Sequence, residues 1–350
     1  MMKVRIEELK AGLKLRQAVY NAGNILIPKD QILSEKHIAM LEKFQIKEVN
    51  VETELEAKQN IVREKEAEIK EEFTMVYRKT LEKTKEVFSD AEDGKLDKEV
   101  VNDIVSDTLN TLEKDQDIFL TLLEMKEEND YLYEHSMKSS IIALSIGNKL
   151  GLDKKTLELL GKAALLHDIG MFKVDKNILN KEGKLTEEEL NLIREHTQIG
   201  YDLLENEEEE VRQAALYHHE RVDGYGYPKG ISGNEIPEIV RIVSIADLYA
   251  ALISERVYRD AKDPKEVIKY LMTVADKQVD TNIVKKLLEN MSMFSIGSYV
   301  RLSNGLRAKV IRATENPFRP IVDVEENGNL FRLDLSEKEN ALVYIMRLIV

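Results

Sequence analysis

Between about residues 96 and 293, apolar residues recur at three- and four-residue spacings through one segment after another, the pattern of helices that each bury one face. YEHSMKSSIIALSIGNKLGL places Ile142, Leu144 and Ile146 on its later face and should stop near Gly151. LDKKTLELLGKAALLHDIG can start at Asp153, and Leu160, Ala163 and Ala164 precede His167 by three to seven residues. TEEELNLIREHTQIGYDLL opens with capping-box spacing at Thr186 and Glu189, and the pattern predicts that His196 shares a face with Leu192, Ile193, Ile199 and Leu203. EEVRQAALYHHE and IVRIVSIADLYAALI complete the helical run.

The flanks have other textures. Residues 1–52 mix short apolar stretches with turn signals at Gly12, Asn21 to Asn24 and Pro28, then the helical SEKHIAMLEKFQI, which predicts a small α+β module. Residues 53–95 form a charged connector without Gly or Pro until AEDGK. Its sparse apolar positions (Leu55, Val62, Ile69, Phe73, Val76, Leu81, Val87, Phe88) suit a long helix that either packs on its own core or makes half of a homodimer. Residues 294–350 offer short β-type runs parted by SNG, NPFRP and ENGN, the signature of a small β-rich unit. The expected fold is therefore mainly α: a helical bundle over 96–293 with a small module at each end.

At 350 residues, 43% hydrophobic and 33% charged, the chain has a globular composition with room for more than one core. No apolar run reaches the roughly 18 residues of a membrane span, and MMKVRIEELK places acidic residues where a secretory leader needs apolar ones, so the expectation is a cytoplasmic protein with no membrane partner. A net charge of −14 argues against a nucleic-acid polymer as ligand. The absence of cysteine excludes disulfides and thiolate metal sites, so any metal must be held by His and carboxylate.

Within the apolar helices, seven side chains are out of place: His135, His167, Asp168, His196, His218, His219 and Asp247. One histidine on an apolar face is usually a satisfied core residue. Five of the six histidines with two aspartates, spread over successive helices, call for a shared solution, and a cation offsets buried carboxylates while occupying imidazole lone pairs. His37 stands apart and reads as a surface residue of the first module. Seven ligands suit two ions sharing a carboxylate, and two divalent ions about 3.5–4 Å apart can ionise a bridging water and stabilise an in-line phosphoryl displacement. Iron, manganese and zinc all accept this donor set.

The order His135, HD at 167–168, His196, HH at 218–219 and Asp247 resembles the HD superfamily of metal-dependent phosphohydrolases. HHERVDGYGYPKG resembles its HD-GYP subgroup, bacterial phosphodiesterases of cyclic di-GMP. The resemblance extends over about residues 129–293. It implies one ion, iron or manganese, on His135, His167, Asp168 and Asp247, and a second on Asp168, His196, His218 and His219, with Asp168 as bridge. It implies attack of a metal-bridging hydroxide on cyclic di-GMP, Tyr227 facing a guanine or the ribose-phosphate, and Arg256 and Arg259 holding phosphate oxygens; the glycines flanking Tyr227 would themselves let its loop close over a phosphate-rich substrate. Tyr131 stands where three-metal members carry Glu, which implies linear pGpG rather than GMP as product. Met171 stands where the family has Lys, Ala250 where it has Asp, and Val222 where Trp is common; Lys173 is the nearest substitute donor for position 171. These departures motivate the competing expectations of a receptor that binds the cyclic dinucleotide without turnover, or a hydrolase of another nucleotide.

Overall fold

A computed structural model describes residues 2–52, 54–92, 94–112, 121–122, 131–179, 181, 183–254, 264–289, 294, 296–314, 316–326 and 329–349. The chain divides into two compact units, Met1–Ile69 and Lys70–Val350.

In the first unit β1 (Met2–Arg5) pairs antiparallel with a later strand, Glu48–Val51, while β2 (Val19–Asn21) and β3 (Asn24–Ile27) form a hairpin. Helix α1 (Glu35–Lys43) packs Leu41 with Leu15, Ile27, Leu33 and with Val49 and Val51 of that later strand, β4, to give a small apolar core. His37 is more than a surface residue. Its Nδ1 accepts from the Ser34 backbone N–H at 3.1 Å while Ser34 Oγ accepts from the His37 N–H, a capping box in which imidazole takes the usual role of Glu.

Helix α2 (Glu54–Glu92) carries the charged connector, and Gly94 follows it at φ +76°. From Phe73 onward its buried apolar residues are Phe73, Tyr77, Leu81, Val87, Phe88 and Ala91, a helical stripe in the main core of the second unit, so this half packs on its own chain. Helices α3 (Lys98–Leu112), α4 (Tyr131–Leu150) and α5 (Lys154–Leu166) follow, then the short α6 (Lys176–Leu179). After α7 (Glu187–Arg194), α8 (His196–Leu203) and α9 (Glu209–Tyr217) comes α10 (Glu238–Ile253), whose Val240, Ile242, Val243, Ile245, Ala246 and Tyr249 are buried around most of its circumference. A helix apolar on nearly all sides belongs at the centre of a bundle. Helices α11 (Pro264–Val274) and α12 (Thr281–Glu289) close the helical run.

One helical expectation fails. The segment expected to place Leu192 on the face of His196 breaks at Glu195 into α7 and α8, and Leu192 is 46% exposed. The reason is local competition for carbonyls: His196 Nδ1 bonds Ile193 O at 2.6 Å and Thr197 Oγ1 donates to Arg194 O at 3.0 Å. A continuous helix would spend those two oxygens on the N–H groups of Thr197 and Gln198.

The C-terminal residues form a five-stranded antiparallel sheet of β5 (Tyr299–Leu302), β6 (Arg307–Arg312), β7 (Ile321–Glu326), β8 (Asn329–Asp334) and β9 (Ile345–Ile349), in the order β8-β7-β6-β5-β9. The SNG and NPFRP signals fall in its connections, and Val300, Leu302, Val310, Val322 and Val324 fill its core. Among the described residues no helix is long and apolar enough to cross a membrane.

Candidate metal centre

Helix α5 starts where Asp153 accepts the Thr156 N–H and ends at Leu166, so His167 caps its C-terminus and Asp168 turns out of it at φ −98°, ψ 13°. The 3₁₀ turn Ile169–Lys173 then crosses the start of α8 so closely that a Cβ on Gly170 would lie 2.0 Å from His196 O and 2.7 Å from Gly200 N. Glycine at 170 is thus a condition for bringing the HD pair beside His196.

Seven side chains from five places in the fold meet here. Asp168, His196, His218 and His219 form one set with ligand atoms mutually within 4.8 Å, and His135, His167 and Asp247 form a second. Asp168 faces both. Its Oδ1 lies 3.4 Å from His196 Nε2 and 3.4 Å from His218 Nε2, while its Oδ2 lies 3.4 Å from His167 Nε2 and 3.7 Å from His135 Nε2. Asp247 spans the sets in the same way, with Oδ1 3.0 Å from His135 Nε2 and Oδ2 3.9 Å from His219 Nδ1. His135, His167, His196 and His218 are buried, and the His219 side chain is 31% exposed at the mouth.

The backbone fixes which nitrogen three of the five rings offer. His167 Nδ1 bonds Ala164 O at 2.8 Å, His196 Nδ1 bonds Ile193 O, and His218 Nδ1 bonds Ala214 O and Ala215 O at 2.9 and 3.0 Å. A carbonyl accepts only, so Nδ1 carries the proton and the neutral ring turns a bare Nε2 lone pair toward the centre. His196 Nε2 and His218 Nε2 then face each other at 3.3 Å, and His167 Nε2 is buried without a hydrogen-bond partner, as is His135 Nδ1. Facing lone pairs and orphaned buried nitrogens next to two carboxylates fit divalent cations, and the His/Asp donor set without sulfur suits iron, manganese or zinc.

Without a cation, protons stand in. Burial disfavours charge on His167, yet the Asp168 carboxylate beside it prevails and raises it to about 9. Burial likewise opposes ionisation of Asp168 and Asp247, but the neighbouring imidazoles, His167 for Asp168 and His135 for Asp247, hold both below the usual carboxylate range. His196 and His219 are lowered, chiefly by burial and with His218 adding to it, so they stay neutral donors.

Tyr227 packs its ring 4.7 Å from that of His219 at 33°, and its N–H donates to His219 O at 3.3 Å. Burial, with Asp168 and Asp247, pushes its phenol up, so it remains protonated. Its loop is fastened rather than free to close: Glu220 Oε1 accepts from Lys229 N at 2.7 Å and Gly230 N at 3.0 Å, and Asp223 accepts from Tyr225 N at 3.1 Å. Gly226 lies against backbone, since a Cβ there would meet Glu220 Cα and Arg221 N at 2.5 Å. The glycine serves close packing here, not mobility.

Two residues at the centre escaped sequence reasoning: Glu220 holds the loop, and the Arg194 guanidinium lies 5.4 Å over the Tyr227 ring. Tyr131 stacks on His135 (5.7 Å, 20°). For Glu220 the only signal is a buried acid directly after the paired histidines. Met171 is half-buried beside Gly170, Ala250 is fully buried in α10, and Arg256 and Arg259 lie outside the described residues.

Comparison with known proteins agrees with this geometry. A family model described as HD domain matches residues 99–283, more than half of the chain. The cyclic di-GMP phosphodiesterase PA4108 of Pseudomonas aeruginosa is 31% identical over 223 residues, 63% of this chain and 54% of that protein. The cyclic di-GMP phosphodiesterase response regulator RpfG of Xanthomonas campestris is 38% identical over 155 residues, 43% of this chain and 41% of that protein. The chain thus spans about half the length of these curated relatives. Among solved structures, Bd1817, an HDG"Y"P protein from Bdellovibrio bacteriovorus, shares the fold with a TM-score of 0.53 at 18% identity, over 82% of this chain and 97% of that one. By its match over more than half its length, and with the histidine and aspartate cluster that the fold assembles, the chain belongs to the HD domain family.

Proposed function

We propose that the chain is a metal-dependent phosphodiesterase that hydrolyses cyclic di-GMP to linear pGpG, with two divalent cations, iron or manganese, as cofactors. The observation that carries this reading is Asp168, whose two oxygens face different donor sets and so offer one carboxylate to two cations. Two such cations supply, when bound, Lewis-acid charge at a phosphoryl oxygen and a water of lowered pKa. His135, His167, Asp168 and Asp247 would hold one, and Asp168, His196, His218 and His219 would hold the other. The backbone carbonyls that keep the Nδ1 protons of His167, His196 and His218 orient those rings before any ligand arrives. Tyr227 lines the mouth at His219, and Arg256 and Arg259 take phosphate oxygens through their planar donor forks. In the net reaction water oxygen joins phosphorus, the P–O3′ bond breaks, and the departing 3′ oxygen takes a proton. Tyr131, a stacked ring where a further carboxylate ligand would be needed, favours pGpG over GMP as the end point.

Retention of all seven donors in one cluster favours an enzyme over a binding module. Met171 and Ala250 favour the second reading, a receptor that binds the dinucleotide without turnover. Metal-stripped protein loaded anaerobically with Fe²⁺ or Mn²⁺ and mixed with cyclic di-GMP should give pGpG by chromatography. Micromolar calorimetric binding with no product would select the receptor instead, and product only from another cyclic dinucleotide would redirect the substrate.

A further inference from the structure

We infer that Arg194 is a substrate-binding residue that holds the second, non-scissile phosphate of a cyclic dinucleotide at the mouth of the centre. The inference rests on the reading above and adds a residue to it. Arg194 ends α7, two residues before His196, and is solvent-exposed with its guanidinium over the Tyr227 ring, which in turn packs on His219. It is therefore two ring contacts from a metal-ligating imidazole, too remote for the phosphate undergoing attack and placed for another group of the same ligand.

The chain has more acids than bases, and Arg212, Arg221 and Arg241 of the helical run each pair with a carboxylate. Arg194 makes no ion pair among the described residues. Its one side-chain hydrogen bond, to Asn191 Oδ1 at 2.9 Å, occupies one of five donors. A cation is favourable at the C-terminus of any helix. That accounts for a basic residue at 194, but not for its lying over the ring of the loop that flanks the centre. A guanidinium with an open donor fork suits a phosphate, and a tyrosine face beneath it fixes its orientation without neutralising it.

The test compares wild-type protein with Arg194→Gln and Arg194→Lys, each loaded with Mn²⁺, on two substrates: cyclic di-GMP, with two phosphates, and bis(4-nitrophenyl) phosphate, with one. Arg194→Gln should raise KM for cyclic di-GMP about tenfold or more, the loss of a charge-assisted hydrogen bond. Its kcat, bound manganese and turnover of the single-phosphate diester should stay at wild-type values, and Arg194→Lys should recover part of the loss. Equal losses on both substrates, loss of manganese, or an unchanged KM for cyclic di-GMP would overturn the assignment. Should wild-type protein bind cyclic di-GMP without cleaving it, the enzymatic reading fails alone, and the calorimetric Kd of the three proteins decides Arg194 by the same tenfold criterion. No binding by wild-type protein overturns both.

Discussion

Gly170→Ala tests whether the centre depends on the close crossing of the HD turn over α8. The added Cβ would fall 2.0 Å from His196 O and 2.7 Å from Gly200 N, so backbone on one side must retreat by roughly 1 Å. Overpacking of this kind costs about 1–3 kcal/mol, and with backbone rather than a flexible side chain in the way the upper end applies. For a unit of this size about 3 kcal/mol lowers Tm by roughly 6–12 °C. The same retreat parts Asp168 from His196, so metal affinity should fall about 10- to 100-fold, as when the support of a ligand is lost. Gly200→Ala is the comparison: its Cβ would sit 3.3 Å from Ala215 Cβ and 3.4 Å from Gly170 N, a contact that small adjustments absorb. Thermal scans of metal-free protein, with elemental analysis after loading, read both effects. If Gly170→Ala kept the wild-type Tm and metal content, the crossing would not be what joins Asp168 to His196.

Further outcomes are expected. Asp168→Asn should empty both cation positions whereas His219→Ala weakens one, and elemental analysis giving equal metal contents for the two variants would count against a shared carboxylate. Glu220→Ala leaves the N–H groups of Lys229 and Gly230 without their acceptor, costing about 1–3 kcal/mol; faster proteolysis within 223–230 should report it, with bound metal unchanged. Because a raised His167 must lose its proton to bind a cation, manganese affinity should climb about tenfold per pH unit up to about pH 9 in chelator competition; a flat profile would remove His167 from the ligands. In the metal-free fold the same shift gives stabilisation that is complete below about 6.5 and lost as pH rises through about 9, while the lowered His196 and His219 oppose it by destabilising the fold as pH falls below 6.5. Finally Phe88→Ala, which removes a fully buried ring packed 4.9 Å from Phe172 and 5.9 Å from Tyr133, should cost about 3–5 kcal/mol in denaturant unfolding.

The sequence by itself determined the classes of element and the list of polar side chains that had to meet. Helical spacing gave the bundle, turn dipeptides gave the C-terminal hairpins, and histidines and aspartates stranded on apolar faces had to find one another because burial apart is too costly. Periodicity reports only which face of an element is buried. It therefore missed the break at Glu195, where the side chains of His196 and Thr197 compete for helix carbonyls, and the capping role of His37, which depends on a ring reaching back to Ser34. Tertiary structure alone decided which oxygen of Asp168 faces which histidines and that Gly170 must pass against the backbone of His196 and Gly200. It alone placed Arg194 over Tyr227, thirty-three residues away in sequence. These are relations between atoms on different elements, set by backbone crossings of a few ångströms, and no local pattern of hydrophobic and polar residues carries them.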